Sequence, residues 1–205
     1  MKIGFIVDGQ GEPQALGMLF AQIQCGHVLL QRVLYADMQP RATPPQIARS
    51  AQAAVKIMVA RAVDRIVVLV DGEGDVCPGA LAQSIASAFA QMYRGVRFDV
   101  VIKNRKFENW LVADPDALVA MPARFAINPA FVRQVAPNRA DEVVDAEQLL
   151  TSVVKGTEYH KRSDPPKIAA KQCPIRISRN SRSFRRLLRI LDAPHYLAQS
   201  KNPVR

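Results

Sequence analysis

The chain has 205 residues, 49% of them hydrophobic and 22% charged, a globular composition that excludes intrinsic disorder. Its longest uninterrupted apolar runs are five residues, which excludes a membrane-spanning helix, and the apolar stretch 3–7 stops at Asp8, too soon for a secretory signal. The formal net charge of +10 is segregated: residues 151–205 hold thirteen Lys and Arg against three Asp and Glu, and residues 1–150 are balanced.

In chain order, residues 2–7 read as a short strand ended by Asp8-Gly9-Gln10-Gly11. Glu12-Pro13 then opens a helix to residue 24, proline being tolerated in the first helical turn. A second extended run covers residues 28–36. Thr43-Pro44-Pro45 starts an Ala-rich helix to residue 62, with Thr43 as its N-cap. Residues 65–70 make the strongest strand, and the unbroken Ile-Val-Val-Leu-Val run predicts that both sheet faces are covered. Cys77-Pro78 begins a helix to residue 93, and residues 97–102 form a fourth strand. This alternation predicts an α/β fold with a mainly parallel central sheet and helices on both faces.

Beyond residue 103 the periodicity is weaker. Residues 108–113 and 115–121 read as helices, 121–137 as a loop with three prolines, 141–154 as a helix and 155–166 as a polar linker. From residue 180, Phe184, Leu187, Leu188 and Leu191 form one apolar helical stripe, with Arg182, Arg185, Arg186 and Arg189 largely off it. The expected organisation is an α/β domain over 1–125 and a helical, basic extension over 126–205 packed on it.

Two acidic clusters follow core strands: Asp8-Gly9-Gln10-Gly11-Glu12 and Asp71-Gly72-Glu73-Gly74-Asp75. Parallel strands end on one rim, where α/β folds place their sites. Alternate residues of an extended segment face one way, so Asp71, Glu73 and Asp75 are candidates for a shared hard divalent cation, Mg²⁺ or Mn²⁺. Either cluster alone also suits turn and helix-cap chemistry. Gly9, Gly11 and Gly17 lack the dinucleotide spacing, and no Walker A loop is present. Cys25, Cys77 and Cys173 have no disulfide or zinc-knuckle spacing, so a reducing cytoplasm is the expected location.

The order of strand, acidic loop and helix, then strand and acidic cluster, resembles the Toprim fold. The pieces IVDGQGE (6–12), VLVDGEGDVCP (68–78), KFENWLVAD (106–114) and RNSRSFRRLLRIL (179–191) are similar to a bacterial Toprim-like family of unknown function. Its motifs are related to those of the Toprim domains of overcoming-lysogenization-defect nucleases. The resemblance implies a general acid/base or ligand role for Asp8 and Glu12 and metal binding by Asp71, Glu73 and Asp75. It also implies that Glu108 points at the same rim; from the residues alone, Glu108 reads equally as a solvent-facing neighbour of a Trp110 core anchor. Family members usually carry Glu where this chain has Asp8, and Asp where it has Glu73.

A normal surface helix mixes charge signs, whereas residues 182–189 carry four arginines and no acid. The guanidinium fork suits phosphate oxygens. Arg179, Arg182, Arg185, Arg186, Arg189 and Lys103 are therefore the expected nucleic-acid contacts, with internal ion pairing as the other reading. The function expected is a Mg²⁺- or Mn²⁺-dependent nuclease, or a related phosphoryl-transfer enzyme, in a defence or repair system. Its expected partner is nucleic acid, DNA before RNA, with no membrane and oligomeric state open. The alternative is a catalytically silent Toprim-like module that binds nucleic acid or a partner ATPase.

Overall fold

The apolar run 66–70 lies at the centre of a strand whose five side chains there are fully buried, because helices cover both faces of the sheet. The computed structural model describes all residues except 27, 40, 74–76, 157 and 200–205. Four strands, β1 (Lys2–Val7), β2 (Leu29–Tyr35), β3 (Arg65–Asp71) and β4 (Arg97–Lys103), pair in parallel in the order β2-β1-β3-β4. The expected α/β class is the class observed.

Strand alternation sends side chains to two cores. Ile6, Ile66, Val68, Val70, Val100 and Ile102 pack under α2 (Pro44–Ser50), α3 (Gln52–Ala60) and α4 (Pro78–Met92). Ile3, Phe5, Val7, Val67, Leu69 and Val101 pack under α1 (Glu12–Phe20), α5 (Glu108–Val112) and α6 (Pro115–Val119). The same second core takes in α7 (Pro129–Val135), α8 (Ala146–Thr151), α9 (Asp164–Ala169), α10 (Pro174–Asn180) and α11 (Arg182–Ile190). Proline in the first turn starts α1, α2, α4, α6, α7, α9 and α10, where its missing N–H costs no hydrogen bond.

Several elements differ from expectation after residue 103. The segment 121–137 contains α7, started by Asn128, whose side chain accepts from Phe131 N–H at 2.9 Å, and by Pro129. The expected helix 141–154 is a 3-10 turn at Ala140–Glu142 followed by α8, which Asp145 caps through Gln148 N–H. Residues 43–62 divide at Ala51 into α2 and α3. Among the described residues, no helix is long and apolar enough to cross a membrane.

A buried polar network ties α11 to the 3-10 turn and to α5. The Asp141 carboxylate accepts from Ser181 Oγ at 2.7 Å, Ser183 N–H at 2.8 Å and Ser183 Oγ at 3.1 Å. Trp110 Nε1 donates to the same Ser183 hydroxyl at 2.7 Å. Removing the carboxylate strands these buried donors, so Asp141→Ala is expected to lose about 3 kcal/mol of stability. A urea midpoint unchanged from the parent would mean that water replaces the carboxylate without loss.

Candidate metal centre

From β1 the chain runs outward to β2 and returns on the other side to β3, so the strand order reverses between β1 and β3. At such a switch point the loops leaving adjacent strands part and open a crevice. Asp8 follows β1, Glu12 starts α1, Asp71 ends β3 and Lys103 ends β4, which brings four charged side chains to one place.

Lys103 Nζ lies 2.7 Å from Asp8 Oδ1, 2.5 Å from Glu12 Oε1 and 2.9 Å from Asp71 Oδ1. Its side chain has no exposed surface, and those of Asp8 and Glu12 have very little. Asp8 Oδ2 accepts the Asp71 backbone N–H at 2.7 Å, so both oxygens of Asp8 are engaged. Gly9 permits the compact loop: a Cβ there would stand 2.4 Å from Glu12 Oε1. One ligand oxygen from each of Asp8, Glu12 and Asp71 falls within 4.8 Å of the others.

Three carboxylates around one ammonium leave a formal charge of −2. Two buried oxygens, Glu12 Oε2 and Asp71 Oδ1, have no hydrogen-bond partner among the described residues; the contact from Asp71 Oδ1 to Lys103 is an ion pair outside hydrogen-bond alignment. Burial pushes the Glu12 carboxyl well above the ordinary range against the pull of Lys103, and Asp8 and Asp71 raise it further. Burial would depress the Lys103 ammonium, but the attraction of Asp71, Asp8 and Glu12 outweighs it and holds that pKa well above normal. The donors are all oxygens and two of them accept no hydrogen bond among the described residues, a set that suits a hard divalent cation.

Burial pushes Asp71 up to about 6 from its ordinary 3.8, against the opposing pull of Lys103. A carboxyl raised in the folded state binds protons more tightly there than in the unfolded chain. Its contribution to stability is full below pH 4 and is lost as pH rises through about 6. Relative to Asp71→Asn, the metal-free parent is therefore expected to lose stability between pH 4 and pH 7, read from urea midpoints. The opposite trend would mean that Lys103 holds Asp71 ionised throughout.

Beside the cluster opens a cleft of about 380 Å³ lined by residues 9–12, Asp71, Glu73, Lys106–Glu108, Lys161, Arg162 and Pro165. Glu108 stands in this lining with its Oε1 3.5 Å from the Tyr159 hydroxyl. Glu73 lines the cleft but pairs with Arg41 at 2.7 Å and is not in the carboxylate group. The chain leaves extended geometry after Asp71, and Glu73 is left-handed at φ 47°, so strand alternation no longer aligns the two side chains. Asp75 lies outside the described residues.

Two expected nucleic-acid contacts are corrected. Lys103 ends a buried strand among three carboxylates, so no phosphate reaches it. Arg185 is buried and donates to Ser178 O and, at 2.8 Å, to Asn138 Oδ1, which makes it an internal brace. Arg179, Arg182, Arg186 and Arg189 are exposed. Sequence reasoning passed over Lys161 and Arg162, which it left in a polar linker.

The family described as Domain of unknown function (DUF4276) matches residues 9–192, and the chain belongs to that family. No curated protein and no solved structure matches the chain.

Proposed function

We propose that this member of the DUF4276 family is a Toprim-like, divalent-cation-dependent phosphoryl-transfer enzyme, a nuclease acting on DNA before RNA. The observation that carries the proposal is that buried Glu12 Oε2 has no hydrogen-bond partner among the described residues and buried Asp71 Oδ1 is held only by its ion pair with Lys103, within a cluster of formal charge −2 beside the cleft. Glu12 and Asp71 would hold Mg²⁺ or Mn²⁺. The cation, when bound, supplies polarisation of a phosphoryl oxygen and stabilisation of charge on the leaving oxygen.

Asp8 holds the end of β3 through the Asp71 N–H and anchors Lys103, a positioning role in place of the acid/base role expected from sequence. Lys103 keeps three neighbouring carboxylates from repelling one another. Glu108, in the cleft lining, would take a proton from an attacking water. Arg179, Arg182, Arg186 and Arg189 extend the positive surface for strand phosphates. Nicking of supercoiled plasmid should require Mn²⁺ or Mg²⁺ and fall about a hundredfold in Glu108→Gln, within the range for losing a general base. Nicking that survives in EDTA would overturn the metal-dependent mechanism.

One observation favours a second reading, the silent module that binds nucleic acid or a partner ATPase. The Lys103 ammonium already sits within 2.9 Å of all three carboxylates and fills part of the role of a metal. Under that reading neither cation stabilises the protein.

A further inference from the structure

We propose that Lys106, Lys161 and Arg162 form a phosphate-gripping wall in the cleft beside the carboxylates, and that the ligand held there is a single-stranded phosphodiester. The proposal takes from the phosphoryl-transfer reading only that the gripped phosphate is the reacting one.

The cleft lining carries both signs. Glu12, Asp71, Glu73 and Glu108 supply negative charge, while Lys106 on the loop after β4 and Lys161 and Arg162 just before α9 supply three cations. A ligand that satisfies both must present anionic oxygens to these three cations and to a metal ion held by Glu12 and Asp71. A phosphoester does so with one group. A volume of about 380 Å³ lies in the range of small-ligand pockets and suits one nucleotide of a strand rather than a duplex.

The wall is built into the fold. A Cβ on Gly11 would stand 2.7 Å from the Lys161 carbonyl oxygen, so glycine there lets the 161–162 segment close against the loop after β1. Arg162 Nη2 reaches Gln10 Oε1 at 3.4 Å across the same junction. The ammonium of Lys161 pairs with Glu147 at 2.8 Å, but the Lys161 side chain is 61% exposed, so water screens the pair and a phosphate can compete for the ammonium. Lys106 is exposed with no ion-pair partner among the described residues.

Arg182 and Arg186 line a different recess with Pro78, Gly79 and Asn104, which shares no residue with the cleft. The basic excess of residues 151–205 thus reaches the candidate centre through Lys161 and Arg162, not through α11.

The test is anisotropy of a fluorescein-labelled ten-residue oligothymidylate on the full chain in EDTA, over a range of salt. Lys106→Gln/Lys161→Gln/Arg162→Gln is expected to bind at least about tenfold more weakly, with the slope of log K against log[salt] shallower by about 2, the value for three lost single-strand contacts. Arg182→Gln/Arg186→Gln/Arg189→Gln, on the outlying positive surface, should lose less affinity than the first variant does. Affinity unchanged in the first variant, or lost only in the second, overturns the proposal. Because no metal is present, failure here is separate from failure of the phosphoryl-transfer reading, which thermal stabilisation of the parent by Mn²⁺ tests alone.

Discussion

Lys103→Met is expected to destabilise the metal-free protein by about 3–5 kcal/mol at neutral pH, the usual range when one partner of a buried ion pair is removed. The substitution keeps the length of the side chain and deletes the charge, so the loss reads electrostatics and not a cavity. It leaves Asp8, Glu12 and Asp71 together without a cation, in a place where burial already raises Glu12 and Asp71. For a chain of this length the melting temperature should fall by roughly 10 °C. Added Mn²⁺ should recover more of the loss in the variant than it adds to the parent, because the vacated centre offers more oxygens. A variant as stable as the parent in EDTA would show that the carboxylates protonate at little cost and that Lys103 is not what holds them.

Asp71→Asn is expected to lower divalent-dependent nicking by at least a hundredfold, or about 2.7 kcal/mol of transition-state stabilisation. The amide keeps the size of the side chain and the backbone N–H that Asp8 accepts, and it removes one charged ligand. Since ionised Asp71 is held at a cost above pH 6, the variant should be at least as stable as the parent at neutral pH. Loss of activity without loss of fold is the signature sought. Activity within about threefold of the parent would place the chemistry away from Asp71.

The sheet was legible in the sequence because its strands are short apolar runs, two of which, β1 and β3, end in acidic, glycine-containing turns. The same logic located Asp8, Glu12 and Asp71, which the structure brings together at the switch point. It extends to Lys103, which ends β4 and must land on the same rim, yet a lysine in a basic loop sequence reads first as a phosphate contact. Glu73 was misjudged because alternation was carried past the end of β3 into a left-handed turn.

The basic end shows what a count of charge leaves out. Arg176 pairs with buried Asp114 at 2.6 Å, Arg185 braces Ser178 and Asn138, and only tertiary packing separates these from the exposed arginines. The short helices α7, α9 and α10 carry their start signals in Asn128-Pro129, Pro165-Pro166 and Pro174. Prolines that close together also read as loop.

Thermal unfolding with and without Mn²⁺, on the parent and on Glu12→Gln/Asp71→Asn, tests the central claim most directly. At a hundredfold excess over the dissociation constant, a ligand that binds only the native state adds about 2.7 kcal/mol. That corresponds to a rise of roughly 5–10 °C for a chain of this length. The parent is predicted to show this rise and the double variant to show none. A parent indifferent to both Mn²⁺ and Mg²⁺, or a double variant that responds as the parent does, would contradict the assignment of a metal to this centre.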